Sequence, residues 1–137
     1  MAEAIAPPTR GLLDTSVVID MNRIDVDLLP DESAIASITL AELVAGPHAA
    51  HNATERANRQ DRLQLAAQTW DPLPFDTDAA RMYGRVFSAM RVSRRSTRSR
   101  LADLLIASTA ASNELALYTR NPNDFVGLED ILTVKTV

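Results

Sequence analysis

The chain contains no cysteine, and that absence removes disulfide frameworks, thiolate zinc sites and cysteine nucleophiles together. It contains a single lysine, Lys135, close to its end. A phosphate-binding P-loop needs a glycine-rich turn running into lysine, and no such segment exists. A response-regulator site would want a lysine just after a late strand, where Lys135 is poorly placed. A dehalogenase-type phosphatase would need a second aspartate two residues after the first, and Ser16 stands at that distance from Asp14. Long apolar runs are missing too. The least polar segment, Leu101–Ala111, falls far short of the roughly 20 residues that span a bilayer. Met1–Arg10 has neither a basic start nor an apolar stretch long enough for a signal peptide. Internal repeats and low-complexity linkers are absent. These absences lead us to expect a cytoplasmic chain with no membrane association.

What is present fits one domain. Of 137 residues, 46% are apolar and 23% charged, enough for a core and a soluble surface. We expect a single domain over residues 1–137, with residues 1–10 a flexible start. A domain of this length buries about two thirds of the surface that its unfolded chain exposes. The net charge of −4 argues against strong non-specific nucleic-acid binding, but its distribution does not. Arg91, Arg94, Arg95, Arg98 and Arg100 fall within ten positions that hold no acid.

Along the chain, Gly11-Leu12-Leu13-Asp14 reads as a short buried strand ending in an acid, followed by a helix over Thr15–Asn22. Ser33–Ile38 is a second strand, and Thr39 is placed to cap a helix through Ala45, where Gly46-Pro47 breaks or kinks it. Thr54–Trp70 is helical by the spacing of Leu63, Ala66, Ala67 and Trp70. Asp71–Phe75 is a turn with a short strand. Thr77–Met90 carries a stripe of Ala79, Met82, Tyr83, Val86, Phe87 and Met90, with Arg81 and Arg85 opposite. Val92–Arg100 has no apolar period and reads as a loop or frayed helix end. Leu101–Asn113 is a helix apolar almost all round. Leu115–Tyr118 and Ile131–Val134 are the last strands, separated by the turn-rich Thr119–Phe125. Short strands alternating with helices imply an α/β fold of three layers with a central parallel sheet.

In such sheets ligands bind beyond the carboxyl ends of the strands. Asp14 ends the first strand, Glu42 follows the second, Asp103 opens the apolar helix and Asp124 follows Leu115–Tyr118. Four acids from distant segments thus point to one rim. Grouped carboxylates repel one another, a hard divalent cation relieves the repulsion, and oxygen-only ligands suit Mg²⁺ or Mn²⁺. Each acid has a plainer reading. Asp14 could cap the helix that follows it. Thr39-Leu40-Ala41-Glu42 matches a capping box, in which Glu42 would reach back to the cap. Asp103 could serve the helix dipole, although a carboxylate among Leu101, Leu104, Leu105, Ile106 and Ala107 costs several kcal/mol unless paired or metal-bound. Asp124 could be a turn residue, with Asn121 an equally placed oxygen donor. His48 and His51 lie at i, i+3 without an HExxH pattern or cysteines, so zinc is not expected there.

Four segments carry a resemblance in order from Gly11 to Phe125: Leu13-Asp14-Thr15-Ser16, Thr39-Leu40-Ala41-Glu42-Leu43, Ala102-Asp103-Leu104-Leu105-Ile106-Ala107, and Thr119-Arg120-Asn121-Pro122-Asn123-Asp124-Phe125. Together they resemble the motif series of PIN-domain ribonucleases, in particular the VapC toxins of bacterial toxin–antitoxin pairs. The resemblance implies a PIN fold, Mg²⁺-dependent endoribonuclease activity on RNA, a VapB-type antitoxin as partner, and a homodimer. It carries Asp14, Glu42 and Asp103 over as metal-site acids and suggests Thr15 or Ser16 as a hydroxyl beside them. It departs at Asn121, where many relatives have an acid, so that either Asn121 or Asp124 completes the site. It departs again at Ala102, where relatives often have asparagine. An acidic rim repels RNA, and the run Arg91, Arg94, Arg95, Arg98 and Arg100 immediately precedes Asp103, where guanidinium groups would pair phosphates. The alternative is a catalytically inactive PIN-like module that uses residues 91–100 to bind RNA or protein.

Overall fold

The strands are short because each need cross only one layer, and their side chains alternate in destination. In this computed structural model, which describes residues 6–92 and 100–137, four parallel strands form one sheet in the order β2-β1-β3-β4. They are β1 (Arg10–Leu13), β2 (Glu32–Ala34), β3 (Ala116–Thr119) and β4 (Val134–Thr136). Register pairs Leu12 with Ala34 on one side and with Leu117 on the other, and Leu117 with Val134. The helices are α1 (Thr15–Ile19), α2 (Ser37–Ala45), α3 (Ala53–Thr69), α4 (Thr77–Val92) and α5 (Leu101–Ser112).

Period-two alternation divides the core between the two faces of the sheet. Leu12 and Leu117 face Val86, Met90, Leu104, Ile106 and Ala110 of α4 and α5. Their neighbours Leu13 and Tyr118 face Val17, Val18, Ile35, Leu43 and Ala66 of the opposite layer. The apolar stripe of α4 packs as its spacing predicts, with Ala79, Val86 and Met90 fully buried. The all-round apolar α5 starts on an exposed Leu101 but is buried from Ile106 to Ala110, where even Ser108 and Thr109 are buried and return their hydroxyls to the carbonyls of Leu104 and Leu105. The layered α/β/α architecture with a parallel sheet is as expected.

Several element bounds differ, each for a local reason. β1 begins at Arg10, and the chain is held from Thr9 onward: the Thr9 amide donates to Asp31 Oδ2, and the Asp31 amide donates to Thr9 Oγ1. The first helix stops at Ile19 and tightens into a 3₁₀ turn over Met21–Arg23. β2 ends at Ala34, because Ile35 and Ala36 pair instead with Leu73 in a single parallel bridge. That bridge is all that forms of the strand expected in Asp71–Phe75. α2 then starts at Ser37 with Ala36 at its cap, so Thr39 lies inside the helix and caps nothing. Side-chain capping belongs to α3, where Asn52 Oδ1 accepts from the Glu55 amide and Glu55 Oε2 reaches back to the amide of His51, one residue before the cap. β4 occupies Val134–Thr136 rather than Ile131–Val134. The Ile131 and Leu132 amides both bond to Leu128 O in a turn that buries Leu128 and Leu132, so this apolar run serves the core.

Candidate metal centre

The ends of β1 and β3, helix α2 and the start of α5 meet at the carboxyl edge of the sheet, where Asp14, Thr15, Thr39 and Thr119 are polar although buried, Asp103 and Asp124 are half-buried and Glu42 is exposed. Asp14 follows β1 and is only 4% exposed. Its backbone occupies the cap position of α1, but its carboxylate makes no capping bond. Instead Oδ2 accepts from Ser16 Oγ at 2.8 Å and from Thr119 Oγ1 at 2.7 Å. Each of those hydroxyls accepts in turn from a backbone amide after β3: Arg120 N–H to Ser16 Oγ, and Asn121 N–H to Thr119 Oγ1. Among the described residues Oδ1 receives no hydrogen bond. The carboxylate is therefore fixed through one oxygen and open at the other.

Glu42 is reached from the same side. Thr15 Oγ1 donates to Glu42 Oε1 at 2.6 Å and lies 2.9 Å from Thr39 Oγ1. The single hydroxyl proton of Thr15 is used on Glu42, so Thr39 must be the donor in the second bond. Thr39 is fully buried. A relay from Thr39 through Thr15 thus orients Glu42, which replaces the capping role that the Thr39–Glu42 spacing suggested.

Asp103, in the first turn of α5, is half-buried and accepts no hydrogen bond among the described residues. Its carboxyl is pushed up from 3.8 to about 7, first by burial, then by the charges of Asp14 and Asp124 and, more weakly, of Glu42, while the Arg100 guanidinium pulls the other way. The four acids therefore lie within electrostatic reach of one another at a single rim. Asp124 stands in the 3₁₀ turn Pro122–Phe125 and is the acid there whose charge reaches Asp103, while Asn121 has an exposed side chain and donates its backbone amide to Thr119 Oγ1. Among the described residues no three His, Asp or Glu side chains are drawn together closely enough to hold a metal ion as they stand. The rim is an open acidic array.

This donor set suits a hard divalent cation. It offers only oxygen atoms, with one oxygen of a nearly buried aspartate and a whole half-buried carboxyl that have no donor among the described residues, and the crowding of like charges is the condition that such a cation relieves. His48 and His51 are exposed and stand apart from any such group.

Arg100 is placed differently from the expectation that it pairs RNA phosphate. Its side chain is 14% exposed, with one terminal nitrogen 2.6 Å from Asp124 Oδ1 and the other 2.6 Å from the Asp124 carbonyl oxygen. Arg94, Arg95, Arg98 and the side chain of Arg91 lie outside the described residues. Sequence reasoning also missed Thr119 and the orienting role of Thr39. The one signal available for Thr119 was a hydroxyl residue directly after an apolar strand whose end must lie beside that of β1.

The whole chain has counterparts among known proteins. The sequence profile of the PIN domain matches residues 11–126. Ribonuclease VapC5 of Mycobacterium tuberculosis (strain ATCC 25618 / H37Rv) is 39% identical over 133 residues, which is 95% of this chain and 96% of that protein. The crystal structure of VapBC-5, a member of the VapBC family of toxin–antitoxin systems from Mycobacterium tuberculosis, superposes with a TM-score of 0.80 at 39% identity, covering 95% of this chain and 98% of the matched one. VapBC-1 from nontypeable Haemophilus influenzae shares the fold, with a TM-score of 0.71 at 22% identity over 93% and 98% of the two chains. A profile match over most of the length, together with a relative of this identity aligned nearly end to end, makes the chain a member of the PIN-domain family, in its VapC-type branch.

Proposed function

We propose that the chain is a divalent-metal-dependent endoribonuclease, the toxin of a toxin–antitoxin pair, acting in the cytoplasm through the acidic rim. The observation that carries this reading is Asp103, a half-buried carboxyl crowded by Asp14, Asp124 and Glu42 with no hydrogen-bond donor of its own among the described residues. A fold gains nothing from such a group unless a ligand uses it. Asp14 and Asp103 would hold Mg²⁺ or Mn²⁺, with Glu42 and Asp124 completing the set. When bound, such an ion supplies Lewis acidity, which polarises a phosphoryl oxygen and makes water more acidic.

The remaining roles belong to the chain. The Ser16 and Thr119 hydroxyls hold Asp14 Oδ2 so that Oδ1 keeps one direction. The Thr39–Thr15 relay holds Glu42 Oε1, leaving Oε2 to orient a water and take its proton as the phosphodiester is attacked. Phosphates of the RNA would be held by Arg91, Arg94, Arg95 and Arg98, which precede Asp103 in the sequence. No helix of the described residues is long and apolar enough to cross a membrane. A relative solved as a toxin–antitoxin pair supports a VapB-type antitoxin as partner, and a homodimer is the accompanying expectation.

Thermal unfolding and RNA cleavage with EDTA, Mg²⁺ or Mn²⁺ test the reading. Mn²⁺ at 100 times its dissociation constant adds about 2.7 kcal/mol of stability, and cleavage stops on chelation. Asp14→Asn or Asp103→Asn abolishes cleavage while the fold survives. A chain that neither cleaves RNA nor shifts its unfolding with Mn²⁺ would instead be an inactive binding module.

A further inference from the structure

Arg100 is the cap residue of α5, three positions before Asp103, and both meet the turn Pro122–Phe125: Arg100 bonds Asp124, and the charge of Asp124 reaches Asp103. A guanidinium presents its donors as a rigid planar fork. Here one arm of the fork takes the Asp124 carboxylate and the other takes the carbonyl of the same residue, 24 positions away. This two-point grip fixes both the side chain and the backbone of Asp124. The two bonds use two of the five guanidinium N–H donors, and a side chain only 14% exposed gives a polyanion little access to the others.

We propose that Arg100 is a positioning residue of the acidic rim, which clamps the Pro122–Phe125 turn to the first turn of α5 so that Asp124 and Asp103 face one cation together. This rests on the nuclease reading and deepens it. Arg100 thereby serves the acids, and the proposed phosphate contacts are assigned to Arg91, Arg94, Arg95 and Arg98. Its charge also partly offsets the crowding at Asp103.

The test compares the full-length wild type with Arg100→Gln, Arg100→Lys, Asp124→Asn and the Arg100→Gln/Asp124→Asn double variant. Mn²⁺ binding is measured by calorimetry, and steady-state RNA cleavage is followed across a salt series. For a clamp, Arg100→Gln weakens Mn²⁺ binding and lowers kcat, each about 10-fold, while KM and its salt dependence stay unchanged. Arg100→Lys recovers little, because one ammonium cannot reproduce the two-point fork. On the Asp124→Asn background, Arg100→Gln adds almost nothing. A phosphate contact behaves otherwise: KM rises, the salt slope falls by about one, and lysine restores most of the loss. That result overturns the proposal, as does wild-type Mn²⁺ affinity in Arg100→Gln or a fully additive double variant. Should Arg100→Gln fail to fold by circular dichroism, Arg100→Lys decides: weakened Mn²⁺ binding supports the clamp and unchanged binding overturns it. A wild type without Mn²⁺ binding or cleavage overturns the nuclease reading and the clamp with it, before any variant is compared. A failure confined to the variants overturns only the clamp.

Discussion

Thr119 donates its hydroxyl proton to Oδ2 of Asp14 across 105 positions of sequence, at 2.7 Å and without access to solvent. The bond joins the ends of the two central strands at the point where ligands meet a parallel sheet. It exists because the β1–β3 register sets Leu13 against Tyr118, which leaves the next residue of each strand side by side. The same hydroxyl accepts the Asn121 amide, so one threonine fixes both the acid and the loop that follows β3.

Thr119→Val keeps the shape and removes the hydroxyl. The Asp14 carboxylate then loses one of its two donors, and the Asn121 amide loses its acceptor inside the fold. We expect a loss of about 1–2 kcal/mol in urea unfolding, since a buried bond to a charged group is removed and the Asn121 amide loses its acceptor. Cleavage should weaken as Asp14 loses its fixed orientation. Unchanged stability would mean that water replaces the threonine at no cost.

Gly11→Ala probes the layer beneath the rim. A Cβ at Gly11 would meet Tyr118 Cε1 at 2.2 Å and Cδ1 at 2.5 Å, far inside contact distance. Tyr118 is 4% exposed and packed in the core, so its ring cannot swing away freely. A cost of about 1–3 kcal/mol follows from overpacking. A midpoint within error of wild type would show that the ring has room to move.

Thr15 separates orientation from packing. Thr15→Val leaves Glu42 without its donor and the buried Thr39 hydroxyl without its acceptor, whereas Thr15→Ser retains both bonds. The valine variant should lose about 10-fold in the rate of RNA cleavage and about 1 kcal/mol in stability. The serine variant should stay near wild type in rate. Equal rates in both variants would remove Thr15 from the site.

How much of this was legible in the sequence depends on how local each signal was. Asp14 could be read because an apolar run ends on it, and Asp103 because a carboxylate in an apolar helix has no structural excuse. The Thr39–Glu42 spacing misled because a capping box is defined only relative to where a helix begins. The pairing of Ile35 and Ala36 with Leu73, which places that start at Ser37, is a contact across more than thirty residues. Ile131 and Leu132 looked like a strand because apolarity alone cannot distinguish an edge strand from a turn that plugs the core. Nothing in an arginine run reveals which member will meet an acid, so Arg100 was read with its neighbours until its fork was found on Asp124.

Asp103 should also make the protein less stable than it could be, in a way that depends on pH. Its carboxyl titrates near 3.8 when unfolded and at about 7 in the folded chain without metal. Between those values the folded chain holds a proton that the unfolded chain has released, so stability falls as pH rises through that window. Above about 7 the penalty is fully present, and below 3.8 it is absent. Asp103→Asn removes the titration. The variant should match wild type near pH 4 and exceed it at pH 8 in EDTA by about 1–2 kcal/mol, after discounting for the part of the carboxyl that solvent screens. Mn²⁺ should close most of that gap by stabilising the wild type alone, and cleavage should be absent from the variant throughout. Urea unfolding at pH 4, 6 and 8, with EDTA and with Mn²⁺, measures all of this. An asparagine variant no more stable than wild type at pH 8 in EDTA would show that the rim does not crowd Asp103.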